Sequence, residues 1–329
     1  MSTGDVLAVI ELEDGAPTAL TLELIALACT IAEAKGGKAI AACLAGQIEE
    51  GLGQELVAGG AAEVHTIVNE LHEPYQADAW LPDLIALIGE IGPAAILIPH
   101  TNAGADLAPR LAFRLGSSVA TGCVDVDVGD NDIRFTRLCY GGVAREQLSF
   151  SNIPAVATIK AKSFDALPLD ESRTGDVKTR ASVVTPDQVR TRVVERNTER
   201  VAGVRLENAN VIVAGGRGIG GPDGFVKAKE LAEVLDGVVG ASRVACDLGW
   251  CPPGYQIGLS GKTVAPELYF ALGISGAGQH MAGCGNAKTI VAINTDEDAD
   301  IFASARFGVV GDCREILPHL VEEMHKIKE

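Results

Sequence analysis

The sequence predicts an α/β protein of two domains, each a mostly parallel sheet flanked by helices. Three observations carry that expectation. Short apolar runs alternate with longer amphipathic stretches, the pattern of a parallel sheet covered on both faces. At 329 residues the chain exceeds one ordinary compact domain. A polar, charge-mixed stretch at 162–200 separates two alternating regions, which sets domains of 1–200 and 201–329.

In the first region, VLAVIEL (6–12) and KAIAACLA (38–45) read as buried strands. Between them TALTLELIALACTIAEAKGG (18–37) reads as a helix ended by Gly36 and Gly37. EVHTIV (63–68) and AAILIPH (94–100) are further strands. AWLPDLIALIGEIG (79–92) is a helix with Pro82 in its first turn, and DLAPRLAFRLG (106–116) one with Pro109 near its start. A β-rich stretch covers 133–161. The segment 162–200 reads as linker, with VVTP and TRVVER as its two candidates for an added strand.

In the second region, NVIVAGGRGIGG (210–221) is a strand running into a glycine-rich turn. GFVKAKELAEVLDGVVG supplies a helix, and VVGAS a short strand. TIVAIN (289–294) and GVVGD (308–312) are strands, and REILPHLVEEMHKIKE is an amphipathic helix. No fixed-period repeat appears.

Composition excludes several classes. Hydrophobic residues are 47% and charged residues 22%, so the chain can build a core and wholesale disorder is not expected. Aromatics at 4% leave no base-stacking platform. With 44 acids against 27 bases, the net charge of −17 repels a polyanion, so nucleic acid is no partner. A local basic site stays open to a small phosphate. No apolar run reaches the ~18 residues of a membrane span. The opening segment lacks the basic region of a signal peptide, so a cytoplasmic location is expected. The eight cysteines are scattered without a CxxC pair, which argues against zinc or iron–sulfur ligation and for small buried hydrophobes.

Three motifs bear on chemistry. Gly216-Arg217-Gly218-Ile219-Gly220-Gly221 fits G-x-G-x-x-G between a strand and a helix, the context of a Rossmann-like phosphate loop. No acid ends the next strand, and Arg217 is atypical there. A phosphate-bearing cofactor and a glycine-rich turn with a solvated arginine both remain open. Gly261-Lys262-Thr263 resembles the end of an NTPase loop, but Gln256 holds the position of its first glycine, so that motif is rejected. Ser242 and Arg243 end a short strand, where ligands bind in open α/β sheets. A surface ion pair is the plainer reading of Arg243, and a turn hydroxyl that of Ser260. Gly273-Ile274-Ser275-Gly276-Ala277 misses the last glycine of a hydrolase elbow, and no separated acid and His complete a triad. His319 lies on the last amphipathic helix. His280 has no second ligand at metal spacing and reads equally as a structural histidine.

APELYFALGISGAGQHMAGCGNAKTIVAINTD (265–296) resembles the signature of the electron-transfer flavoprotein α-subunit family. The resemblance continues through AGGRG (214–218), GASR (240–243), QIGLSGKTVAPELY (256–269) and FGVVGD (307–312). In the first half it is one of pattern and length, clearest in GADLAPRLAFRL. It implies one FAD, held mainly by a Rossmann-like second domain, and a β subunit as partner carrying AMP or a second FAD. By position, Arg217 would meet the FAD pyrophosphate or ring region. Ser242 and Arg243 would lie against the isoalloxazine and pyrophosphate. Ile257, Gly258, Leu259 and Ser260 would run past the ring, with the Ser260 hydroxyl toward N5. Ser275, Gly276, Ala277, Gly278, Gln279 and His280 would wrap the phosphates and ribityl chain, His280 approaching the C2 carbonyl. Asn294 and Asp312 would bind the adenosine half.

The family's known role implies an electron carrier rather than a classical enzyme. It would draw electrons from acyl-CoA-type dehydrogenases or NADH and pass them to a further redox protein. A pair bifurcating electrons from NADH to ferredoxin and a CoA thioester, or a non-redox nucleotide-binding module, are the alternatives. Arg243 and His280 near N1 and O2 would favour negative charge there and raise the flavin potential. The sequence departs from the usual pattern at Gly278, Leu259, Ser260 and Cys284. Leu259 replaces a common Gln and so removes an amide donor near the ring.

Overall fold

The apolar runs fold into the middle of two sheets. A computed structural model describes residues 4–129, 132–140, 144–151, 154–195 and 206–328. The chain divides into two units, one of 1–139 with 144–197, the other of 198–329 with 140–143.

The first unit runs β1 (Val6–Ile10), β2 (Leu12–Glu13), β3 (Ala16–Pro17), α1 (Ala19–Lys35), β4 (Ala39–Ala45), α2 (Leu52–Ala58) and β5 (Glu63–Val68). It continues with α3 (Ala77–Ile91), β6 (Ala95–Pro99), α4 (Asn102–Arg114), β7 (Val119–Val128), β8 (Ile133–Cys139), β9 (Ala144–Ser149), β10 (Ala155–Ile159) and β11 (Asp176–Arg180). Nine strands form one sheet in the order β11-β5-β4-β1-β6-β10-β7-β8-β9. Its pairs are parallel except β7 with β8 and β8 with β9. Every residue of β1, β4, β6 and β10 is buried, because helices cover both faces of the parallel part. Leu24 and Ile31 of α1 pack on one face; Leu84 of α3 and Leu111 of α4 pack on the other.

Two prolines sit deeper in their helices than the sequence predicts. α3 starts at Ala77, so Pro82 falls in the second turn. α4 starts at Asn102 because the Thr101 hydroxyl accepts the Gly104 N–H at 3.0 Å, which leaves Pro109 in the interior. Pro109 is exposed, so the carbonyl it strands can turn to water.

The stretch expected to be linker does add a strand, but from DVKTR. VVTP is no strand: the Asp83 carboxylate accepts the Val183 N–H at 2.5 Å and the Ser182 hydroxyl at 2.6 Å, which removes a ladder donor. His72 also donates to Asp83, at 2.8 Å, so this buried acid staples the segment to α3. Residues 191–195 of TRVVER form no strand, and Arg196 lies outside the described residues. β11 is held by charge as well as by its ladder. Arg180 donates to His65 Nδ1 at 2.6 Å, His65 to Glu63 at 2.6 Å, and Lys178 pairs with Glu63 at 2.7 Å. Burial and the Arg180 cation push His65 below its ordinary pKa.

The second unit runs β12 (Val211–Gly215), α5 (Pro222–Val234), β13 (Val238–Ala241), α6 (Arg243–Asp247), β14 (Leu268–Leu272), α7 (Gly278–Cys284), β15 (Thr289–Asn294), α8 (Ile301–Ser304), β16 (Phe307–Val310) and α9 (Cys313–Lys328). Its five strands are all parallel, in the order β13-β12-β14-β15-β16. Tyr269 and Ile274 lie in the core of one face; Phe225 and Leu317 lie in that of the other. Among the described residues no helix is long and apolar enough to cross a membrane.

Glu23 of α1 is buried, and its Oε2 accepts the Lys162 N–H at 2.8 Å. Burial pushes this carboxyl up to about 7, with the Lys162 contacts opposing. The folded pKa is raised, so the group's contribution to stability is full below its unfolded value and is lost as pH rises through about 7. Glu23→Gln keeps an acceptor and cannot ionise. The melting temperature of the variant minus that of the parent should therefore be larger at about pH 8 than at about pH 5. An equal difference at both would show that Glu23 is not held protonated.

Candidate functional site

The order of the second sheet fixes where a crevice opens. β12 has β13 on one side and β14 on the other, so the connections after β12 and β14 leave in different directions. Ligands of open α/β sheets bind at such a switch point, outside the carboxyl ends of the strands. Here those ends lead into 216–221 and 273–277. The two loops touch backbone to backbone: Gly216 N–H donates to Leu272 O at 2.8 Å, and Gly218 N–H to Gly273 O at 3.0 Å. A Cβ on Gly216 would lie 2.4 Å from Gly273 O. This glycine thus has a structural cause besides any approach of a phosphate.

The residues singled out from sequence all lie along this carboxyl edge, tied by a chain of short contacts. Ser242 N–H reaches back to Gly215 O at 2.9 Å. Arg243 opens α6, is exposed, and pairs with Asp247 at 3.3 Å, a pair of small worth in solvent. Ile257 N–H donates to Ala241 O at 2.9 Å, and Leu259 N–H to Gln279 O at 2.7 Å. The segment 257–260 is thereby strung from β13 to α7. Gly258, at φ 142°, passes so close to α7 that a Cβ would lie 2.9 Å from Gln279 O. Ile257 and Gly258 are buried, whereas Leu259 is 61% exposed, which leaves its side chain open to a ligand. Ser260 is exposed and accepts from Gln256 Nε2 at 2.9 Å. Lys262 is tied to Glu207 at 3.0 Å.

The stretch 275–280 forms the entry to α7. Ser275, Ala277, Gly278 and Gln279 are exposed, while Gly276 is buried under α8, whose Ile301 N–H donates to Ser275 O at 3.0 Å. Asn294 works as a brace: its Nδ2 donates to Ile274 O at 2.9 Å, and its Oδ1 accepts the Asp296 N–H at 3.1 Å. Asp312 caps α9 by accepting the Arg314 N–H at 2.9 Å, and its carboxylate pairs with the Arg314 side chain. That guanidinium holds Asp312 below the usual carboxylate range. Arg314 was not singled out from sequence, yet its Cδ lies 2.9 Å from where a Cβ on Gly220 would stand. With Arg217 and Arg243 it gives the edge a third exposed arginine.

His280 differs from its neighbours. It is buried, its Nε2 lies 2.9 Å from the Tyr269 hydroxyl, and its Nδ1 has no hydrogen-bond partner among the described residues. Burial pushes its pKa down to about 4, so the ring is neutral near pH 7. An orphaned buried nitrogen, a glycine floor, exposed polar side chains and exposed arginines together suit a large cofactor carrying phosphates. Among the described residues no group of three or more His, Cys, Asp or Glu could hold a metal ion. A cavity of about 600 Å³ lies in the first unit, lined by Tyr75, Asp78, Asp106, Arg110 and Arg190, where the two acids offset the two arginines and no glycine floor is present.

Comparison with known proteins agrees with this geometry. Residues 205–285 match the family described as Electron transfer flavoprotein FAD-binding domain, and residues 6–184 match that described as Electron transfer flavoprotein domain. Relatives include the Electron transfer flavoprotein subunit alpha of Bacillus subtilis (strain 168), 39% identical over 96% of each chain. That of Thermoanaerobacterium thermosaccharolyticum is 39% identical over 94% of each chain. Protein FixB of Clostridium saccharobutylicum is 35% identical over 96% of this chain and 95% of its own.

Gly216→Ala tests the contact between the two loops. Its methyl cannot fit against Gly273 O without parting the loops, so we expect a loss of about 2 kcal/mol in urea unfolding of the full chain. An unchanged midpoint would show that the loops do not meet as described.

Proposed function

The chain belongs to the electron transfer flavoprotein α-subunit family, and from that premise we propose how it holds its cofactor and with what it works. It is an electron-transfer flavoprotein α subunit and binds FAD. The observation that carries the placement is a coincidence: the FAD-binding family match at 205–285 falls on the switch-point loops. Bound FAD supplies reversible uptake of electrons.

The chain's own groups bind, orient and tune. Arg217 and Arg243 meet the negative phosphates and the ring, where exposed guanidiniums can leave weak surface pairs for stronger ones. Ser275, Gln279 and the first-turn amides of Gly278 and Gln279 line the phosphates and ribityl chain, since those amides have no earlier carbonyl within the helix. Ile257, Gly258 and Leu259 run beside the ring and keep water from it. Ser260, oriented by Gln256, turns its hydroxyl to ring N5. Gly276 and Ala277 shape the floor. Asn294 and Asp312 bound the adenosine half, Asn294 by bracing Ile274 and Asp312 through its pair with Arg314.

The relatives' designation as subunit alpha supports a heterodimer with a β subunit. We assign AMP or a second FAD to that subunit. Acyl-CoA-type dehydrogenases or NADH act as donor, and a further redox protein as acceptor. All eight cysteines are free thiols, which suits a reducing, cytoplasmic location.

The pair purified together should be yellow, and Arg243→Ala should lower the midpoint potential of the flavin. The change corresponds to about 1 kcal/mol, the scale of one exposed charge near a developing anion. A protein that stays colourless after incubation with FAD would overturn the cofactor placement. An unchanged potential in the variant would remove Arg243 from the ring.

A further inference from the structure

Among the described residues Tyr269 is the largest fully buried side chain. It stands on β14, the middle strand of its sheet, paired with Ile212 of β12 and Ile290 of β15. A residue held on both sides cannot swing away, so its hydroxyl is a fixed point 2.9 Å from His280 Nε2. The hydroxyl has one proton, and a neutral imidazole has one N–H and one lone pair. Two arrangements follow. Either the phenol donates to Nε2 and the imidazole proton sits on Nδ1, or Nε2–H donates to the phenol oxygen and the phenol proton goes elsewhere.

The surroundings decide between them. Among the described residues Cys284 also acts on the Tyr269 hydroxyl, and its thiol points to His280 O at 3.6 Å. Sulfur is a much weaker acceptor than an imidazole nitrogen, so the phenol keeps its proton and donates it in a hydrogen bond to the Nε2 lone pair. With the Nε2 lone pair taken up by the phenol proton, the imidazole's own proton is left to Nδ1.

We propose that Tyr269 is a positioning residue: its hydroxyl locks His280 as the Nδ1–H tautomer, so that His280 offers the bound cofactor a neutral hydrogen-bond donor. The orientation toward the cofactor rests on the FAD reading above; the tautomer does not. The donor lies beside the proposed ring-facing segment, since a Cβ on Gly258 would stand 3.4 Å from His280 Cα. A neutral donor adds stabilisation at a carbonyl oxygen without a buried charge to desolvate. The division of labour is then clear: Arg243 supplies charge from the exposed edge, and His280 supplies direction from the buried side.

Ring-nitrogen NMR of the full chain purified with its β subunit reads this directly. Histidine in this chain is isotope-labelled, and His280→Asn assigns the signal. With and without FAD, Nδ1 should carry the proton and Nε2 should be a hydrogen-bonded acceptor. Tyr269→Phe should move proton density to Nε2 and lower the flavin midpoint potential, whereas Cys284→Ala should leave the tautomer as it was. A proton on Nε2 in the parent overturns the proposal even if the Phe variant fails to fold. So does an unchanged tautomer in Tyr269→Phe, or a changed one in Cys284→Ala. Were the tautomer as stated but no FAD bound, the cofactor placement would fall and the Tyr269–His280 lock would stand.

Discussion

The second unit depends on a contact that involves no side chain. Where β12 and β14 end, the backbone at Gly216 and Gly218 lies directly on the backbone at Leu272 and Gly273. Two strand ends brought that close leave no room for a Cβ, and they bring the loops of a switch point together as one floor. The segment 257–260 is pinned beside that floor, to Ala241 of β13 and Gln279 of α7, and Asn294 braces the loop after β14 at Ile274. The polar groups that remain exposed sit on a base of fixed backbone, which is what preorganised binding of a long cofactor needs.

Charge is distributed to match. The chain as a whole is acidic, at −17, yet Arg217, Arg243 and Arg314 all stand exposed at this one edge. Arg243 in solvent loses little by exchanging its long surface pair with Asp247 for a phosphate, whereas Arg314 keeps Asp312. His280 lies on the buried side and is neutral, because burial holds its pKa near 4. The site therefore combines exposed cations with a buried uncharged donor, a mixture that binds an anionic cofactor without burying unpaired charge.

Much of the fold was legible because parallel strands buried on both faces are written as continuous apolar runs. EVHTIV and TIVAIN appear as strands with the bounds their runs suggest. β11 was not legible. DVKTR is polar and exposed, and its place is set by pairing with β5 and by Arg180 and Lys178, all distant in sequence. The helix starts at Ala77 and Asn102 were missed because the apolar pattern begins later than the helix itself. At the site, local pattern pointed to a glycine loop and could not choose between a phosphate cradle and a plain turn. The long motif around GISGAGQH supplied that choice through family resemblance. What no local pattern carries is tertiary: the close approach of Gly216 to Gly273, Arg314 beside Gly220, and the Tyr269 hydroxyl on His280.

The carboxyl edge of the second sheet is the proposed bed of the cofactor. Hydrogen–deuterium exchange of the full heterodimer, stripped of flavin and then reloaded with FAD, tests it most directly. Exchange at amides of 216–221, 257–260 and 275–280 should slow on reloading. Protection confined to the first unit, for instance around the cavity lined by Tyr75 and Arg110, would contradict it.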